Sequence, residues 1–93
     1  MEEDRKPTSR LLAEAFGMRL RERRLERGML QRELALAVLG KDDQTIVSRW
    51  ENERVLPSPR KLRRIHEVLA LSQDTLGTWR AAHDARQAEQ AGL

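Results

Sequence analysis

The sequence predicts an all-α fold of five helices, and three observations carry that prediction. Apolar residues recur at every fourth position, as Leu12, Phe16 and Leu20 do, which is the period of a helix buried along one face. Glycine, Ser-Pro and aspartate punctuation falls at helix-length intervals, where helices start and stop. No segment alternates apolar and polar residues as a half-buried strand would. The 93 residues suit one small domain. With 39% apolar and only 3% aromatic residues, the core must come from Leu, Ile, Val and Ala on helical faces.

Taken in order, residues 1–9 are polar, contain Pro7 and lack periodicity, so a flexible arm is expected there. Helix one begins near Ser9 on the Leu12, Phe16, Leu20 stripe and ends at Gly28, which is placed for a left-handed C-cap. Helix two runs from about Leu30 to Leu39 with Leu34, Ala35 and Val38 inward. Gly40 to Asp43 form a turn, and the Asp43 carboxylate is expected to cap helix three, Gln44 to about Asn52. Ser58-Pro59 is a strong helix start, an N-cap followed by the one position that tolerates proline. Helix four then reaches about Ala70, with Leu62, Ile65 and Leu69 inward. Ser72 caps helix five, which continues past Trp79 to about Ala91.

Composition excludes several functions. The absence of Cys rules out a disulfide scaffold, a thiol nucleophile and Cys-ligated metal. His66 reads as a satisfied semi-core residue and His83 as a surface one, neither with ligand-spaced partners, so no metal is expected. There is no nucleophile motif, Gly-rich phosphate loop or carboxylate cleft, so neither enzyme activity nor a cofactor is expected. No apolar run reaches membrane-spanning length and Met1-Glu2-Glu3-Asp4 is acidic, unlike a signal peptide. A cytoplasmic, non-membrane protein is expected.

The net charge of +3 permits a nucleic-acid partner without requiring one. It concentrates in helix four, where Arg60, Lys61, Arg63 and Arg64 lie close together. A solvated face explains any single one of them as well as a salt-sensitive phosphate contact does. Arg outnumbers Lys by 15 to 3, which a GC-rich genome explains more simply than a preference for phosphates.

Helix three is more informative. With successive residues about 100° apart, Val47, Trp50 and Glu51 share one face, and Thr45, Ser48, Arg49 and Asn52 share the opposite one, with Gln44 on a flank. Apolar anchors beneath an outward row of hydrogen-bonding side chains suit a DNA major groove, where Arg and Gln pair bidentately with base edges. An ordinary amphipathic surface helix has the same periodicity. Arg24 continues the buried stripe of helix one, and a buried guanidinium requires a counter-charge. Glu51, inward on helix three, is the expected partner; on spacing alone a snorkelling arginine competes.

The stretch from Leu20 through Glu33-Leu34-Ala35, together with Ile46-Val47-Ser48-Arg49-Trp50-Glu51-Asn52-Glu53-Arg54-Val55-Leu56-Pro57-Ser58, resembles the lambda-repressor-like, or XRE-type, helix-turn-helix family. The resemblance continues through Leu62-Arg63-Arg64-Ile65 to Leu71 and covers about two-thirds of the chain. It implies a compact five-helix DNA-binding domain over residues 10–77 with a helical extension over 78–93. It implies a structural ion pair between Arg24 and Glu51. It also implies base reading by Gln44, Thr45 and Arg49, with Ser48 expected to join them from the same outward face, and phosphate contacts from Gln31, Asn52 and Arg54; Lys41 and, at the start of helix four, Arg60 are expected to add further phosphate contacts. The partners implied are double-stranded DNA and a second copy of the chain, in a bacterial or phage setting.

The chain departs from the family pattern in four places. The turn at Leu39 to Asp43 is one residue longer. Leu30 replaces a capping residue, which costs helix two up to about 1 kcal/mol. Glu53 replaces a frequent glycine and sets a negative charge beside the expected phosphate path. Asp42 and Asp43 add further negative charge. Helix two also carries surplus apolar residues, of which Leu39 is expected to be buried. Leu36, Leu76 and Trp79 are expected at a dimer or partner contact, beside a small-residue stripe of Ala81, Ala85 and Ala88.

The function expected is a sequence-specific transcriptional regulator, a repressor acting as a homodimer on a two-fold symmetric operator. The alternative from another class is a protein-interaction module of the same fold, an antitoxin or regulatory cofactor, working through a protein partner.

Overall fold

A computed structural model describes residues 15–91. The arm at 1–9 and the expected start of helix one, with Leu11 and Leu12, lie outside the described residues. Those described form five helices and no strand: α1 Phe16–Glu26, α2 Gln31–Leu39, α3 Gln44–Glu51, α4 Pro59–Leu69 and α5 Gln73–Ala91. α3 packs on both α1 and α2, α4 packs on α2, and α5 packs on α1.

One core joins all five helices. Phe16 and Leu20 enter it from α1, Leu34, Ala35 and Val38 from α2, Val47 and Trp50 from α3, Ile65 and Leu69 from α4, and Trp79 from α5. The helical stripes read from the sequence thus converge on a single apolar interior. Each fully buried Leu, Ile or Val side chain stabilises the fold by about 1.5–3 kcal/mol. Leu39, expected to be buried, is half-buried against this core.

Local chemistry sets the helix ends. α1 closes in a double turn, with the Gly28 amide donating to the Leu25 carbonyl and the Met29 amide to the Arg24 carbonyl. Gly28 has a φ of 69°, a conformation that a β-carbon disfavours. At α2, Leu30 offers no side-chain acceptor, but Glu33 Oε1 reaches back to accept from the Leu30 amide at 2.8 Å. Half of a capping box is therefore present without the usual Ser or Thr. Ser58 Oγ accepts from the Lys61 amide at 3.2 Å and Pro59 opens α4. Ser72 Oγ accepts from the Thr75 amide at 3.1 Å and starts α5.

Several expectations are corrected. Asp43 stands at the N-cap of α3 but makes no capping bond, because its backbone (φ −118°, ψ 71°) lies outside the extended conformation that aims such a side chain at the first-turn amides. Trp79, expected at a partner contact, is packed inside its own chain: it is 5% exposed, and its Nε1–H donates to the Pro57 carbonyl at 3.0 Å. Leu76 is likewise half-buried against the core. His83, expected as an ordinary surface residue, stacks on the Trp79 ring at 4.5 Å. His66 is exposed rather than semi-core, and its Nδ1 accepts from the Leu71 amide at 3.0 Å. Of the three expected contact residues Leu36 is the most open to solvent, at 46% exposure, and Leu76 stays partly exposed.

Candidate nucleic-acid interface

α3 presents two faces of opposite character. Val47, Trp50 and Glu51 are buried, while Gln44, Thr45, Arg49 and Asn52 are exposed and Ser48 is half-buried. The angular reading of the sequence matches this division except at Ser48, read as outward and found half-buried. Thr45, Ser48, Arg49, Asn52 and Arg54, with Val55, line one shallow open depression. Its surface offers hydroxyl, amide and guanidinium groups, which is the donor and acceptor set that base edges and phosphates require. Gln44 stands at the first position of α3, outside that depression.

The side chains of Gln44, Thr45 and Arg49 make no hydrogen bond or ion pair among the described residues. Asn52 Nδ2 donates to Ser48 Oγ at 3.3 Å, so these two form a small outward polar unit. Arg54 is exposed just beyond the helix. Its amide folds back onto the Arg49 carbonyl at 2.9 Å, which places Arg54 beside the outward row.

Beneath the exposed row, a polar network fixes the helix from inside. Arg24 Nε donates to Glu51 Oε2 at 2.6 Å and Arg24 Nη2 to Glu51 Oε1 at 3.1 Å. Arg24 Nη1 donates to the Met29 carbonyl at 2.8 Å. A buried charge is tolerable only when paired and hydrogen-bonded in this manner. The bond to Met29 also ties the α1–α2 turn to the same pair.

Gln31, expected to meet a phosphate, is half-buried at the start of α2 beside Glu51. Its Nε2 donates to Glu51 Oε1 at 3.0 Å, which uses one of the two hydrogens on the amide nitrogen and leaves the other available. In this structure Gln31 supports Glu51.

The expected phosphate set does not gather in one place. Lys41 is exposed in the turn before α3. Arg60 lines a second depression with Lys61, Arg63 and Arg64, between the end of α2 and the start of α4. Arg64 Nη2 donates to the Ala37 carbonyl at 3.1 Å and so bridges those two helices. In the longer turn, Asp42 pairs with Arg32 at 3.1 Å, which offsets its negative charge locally.

Sequence reasoning missed the contacts of Glu53. Its carboxylate turns back to accept from the Gly17 amide in the first turn of α1. Its carbonyl accepts from Arg86 Nη2 at 3.1 Å. Arg23 Nε donating to the Leu69 carbonyl at 2.7 Å was equally invisible. Each joins residues more than thirty positions apart without any repeating pattern to announce it.

The family model described as helix-turn-helix matches residues 20–76, from within α1 to within α5. No curated protein and no solved structure gives a match.

Proposed function

The chain belongs to the lambda-repressor-like helix-turn-helix family of DNA-binding regulators, and from that premise we propose a sequence-specific transcriptional repressor. It binds a two-fold symmetric operator as a homodimer, with α3 lying in the major groove. Gln44, Thr45, Ser48 and Arg49 read bases. Lys41, Asn52, Arg54 and Arg60 set the register through phosphates, with little sequence information of their own. Gln31 holds Glu51 through one amide hydrogen and offers the other to a phosphate.

The single observation that carries this reading is the division of α3. Its inner face is locked by Trp50 and the Arg24–Glu51 pair, while Gln44, Thr45 and Arg49 remain unengaged on the outside. A rigid helix with uncommitted hydrogen-bonding side chains is what base reading needs, since a mobile reader loses discrimination.

Selection from a random duplex library at about physiological salt tests it, because non-specific binding is weak there. A palindromic motif with half-sites about 10 base pairs apart is expected, one helical turn for a two-fold dimer. A lone half-site would keep the reader and remove the dimer. Recovery of no motif would shift the weight to a protein-interaction module of the same fold. Leu36, 46% exposed on α2, is the observation favouring that second reading.

A further inference from the structure

The residue just past the C-cap of α3 adopts a backbone conformation usually reserved for glycine. Glu53 has a φ of 62°. Its amide donates to the Trp50 carbonyl at 3.3 Å, and the Arg54 amide donates to the Arg49 carbonyl at 2.9 Å. α1 ends in the same double closure, and there the corresponding residue is Gly28. A β-carbon in the left-handed region is disfavoured, and such a residue persists where its surroundings over-determine it.

Two contacts from distant helices hold Glu53. Its carboxylate accepts from the Gly17 amide. The N-cap of α1 is Ala15, which offers no side-chain acceptor, so Glu53 supplies the anion that a helix N-terminus favours. On the other side Arg86, from α5, donates to the Glu53 carbonyl. Gly17 makes the approach possible. A β-carbon at that position would lie 2.5 Å from the Glu51 carbonyl oxygen and 2.8 Å from that of Trp50.

We propose that Glu53 is a positioning residue for the reading helix. By capping α1 with its carboxylate and meeting Arg86 through its carbonyl, it fixes the angle at which α3 presents Arg49 and its neighbours to DNA. The proposal rests on the DNA-binding reading above. α3 is only eight residues long, so a tilt at its C-terminal end displaces the whole outward row. Paired contacts to base edges tolerate about 0.5 Å of displacement. Glu53 itself touches no base; it acts through α3.

The test uses the full chain and compares wild type with Glu53→Gly, Glu53→Gln and Arg86→Ala. Each is assayed by duplex selection, by the ratio of specific to non-specific affinity, and by thermal unfolding. Glu53→Gly relieves the backbone and removes the carboxylate. Its melting temperature is expected near that of wild type, while the affinity ratio falls about tenfold, the equivalent of one good base contact. Glu53→Gln keeps an acceptor oxygen and is expected to retain most of the ratio. Arg86→Ala is expected to flatten the preference less than Glu53→Gly does. The Gly17 amide proton resonance is expected to shift in Glu53→Gly and to stay in place in Glu53→Gln.

A folded Glu53→Gly protein with the wild-type motif and ratio overturns the proposal and leaves Glu53 a plain helix cap. If Glu53→Gly does not fold, Arg86→Ala decides, and an unchanged ratio there overturns it. If wild type itself selects no motif, the DNA-binding reading fails first and the proposal falls with it. The two failures are told apart by which protein loses selectivity.

Discussion

The Arg24 guanidinium and the Glu51 carboxylate face each other through two hydrogen bonds, with side chains only 7% and 2% exposed. The pair links α1 to the helix that carries the outward polar row. A buried ion pair is weak proof of net stability, because removing two charges from water is costly, yet breaking one is severe.

Glu51→Ala strands the guanidinium among apolar neighbours. It is expected to destabilise the domain by about 3–5 kcal/mol, read from urea unfolding. The double change Arg24→Met with Glu51→Leu removes both charges and is expected to recover most of that loss. A Glu51→Ala protein with wild-type stability would remove the pair from any structural role.

This pair shows how much of the molecule its sequence reveals. Arg24 fell on a four-residue apolar stripe and Glu51 on the inward side of α3, so period alone brought them together. The five helices and most of the core were legible for the same reason. Periodicity reports which side of a helix is buried. It does not report what a polar side chain does after burial. Gln31 turning onto Glu51 and Glu53 turning onto Gly17 depend on where helix ends meet in space. Trp79 is ambiguous in the sequence because an apolar residue on an extension looks alike whether it meets its own chain or another. The missing information was the fold-back that brings Trp79 to Pro57.

Because Trp79 belongs to the core, its removal acts on stability. Trp79→Ala is expected to cost about 3–5 kcal/mol through the cavity it leaves. Trp79→Phe keeps much of the ring but leaves the Pro57 carbonyl without its donor, for about 1–3 kcal/mol. Unfolding curves give both values. Sedimentation of folded Trp79→Phe should show the wild-type assembly state; a change of assembly state with stability intact would return Trp79 to an interface.

Two backbone swaps of opposite direction are expected to stabilise the protein. Gly77 lies inside α5 with nothing within 4 Å of where a β-carbon would stand. Gly77→Ala should therefore add about 0.5–1 kcal/mol. Ala70 closes α4 with a φ of 55°, and Ala70→Gly should relieve about 1 kcal/mol of left-handed strain. The sites have no partner in common, so the double variant should show the sum in denaturant midpoint. A loss of stability in Gly77→Ala would mean that α5 bends at that position in solution.

On DNA, Arg49 and Arg54 are expected to separate by mechanism although both are exposed arginines beside the same depression. Arg49 projects from α3 itself and is assigned to a base edge. Arg49→Ala should erase preference at one base position, worth about 1–3 kcal/mol of discrimination, and leave the salt dependence nearly unchanged. Arg54 lies past the helix end and is assigned to a phosphate. Arg54→Ala should weaken all sequences alike and reduce the slope of log affinity against log salt by about 1. Binding titrations at several salt concentrations, on the selected motif and on single-base variants, read both effects. If the two variants lose affinity uniformly with equal changes in slope, neither arginine reads a base, and the discrimination must come from Gln44, Thr45 and Ser48.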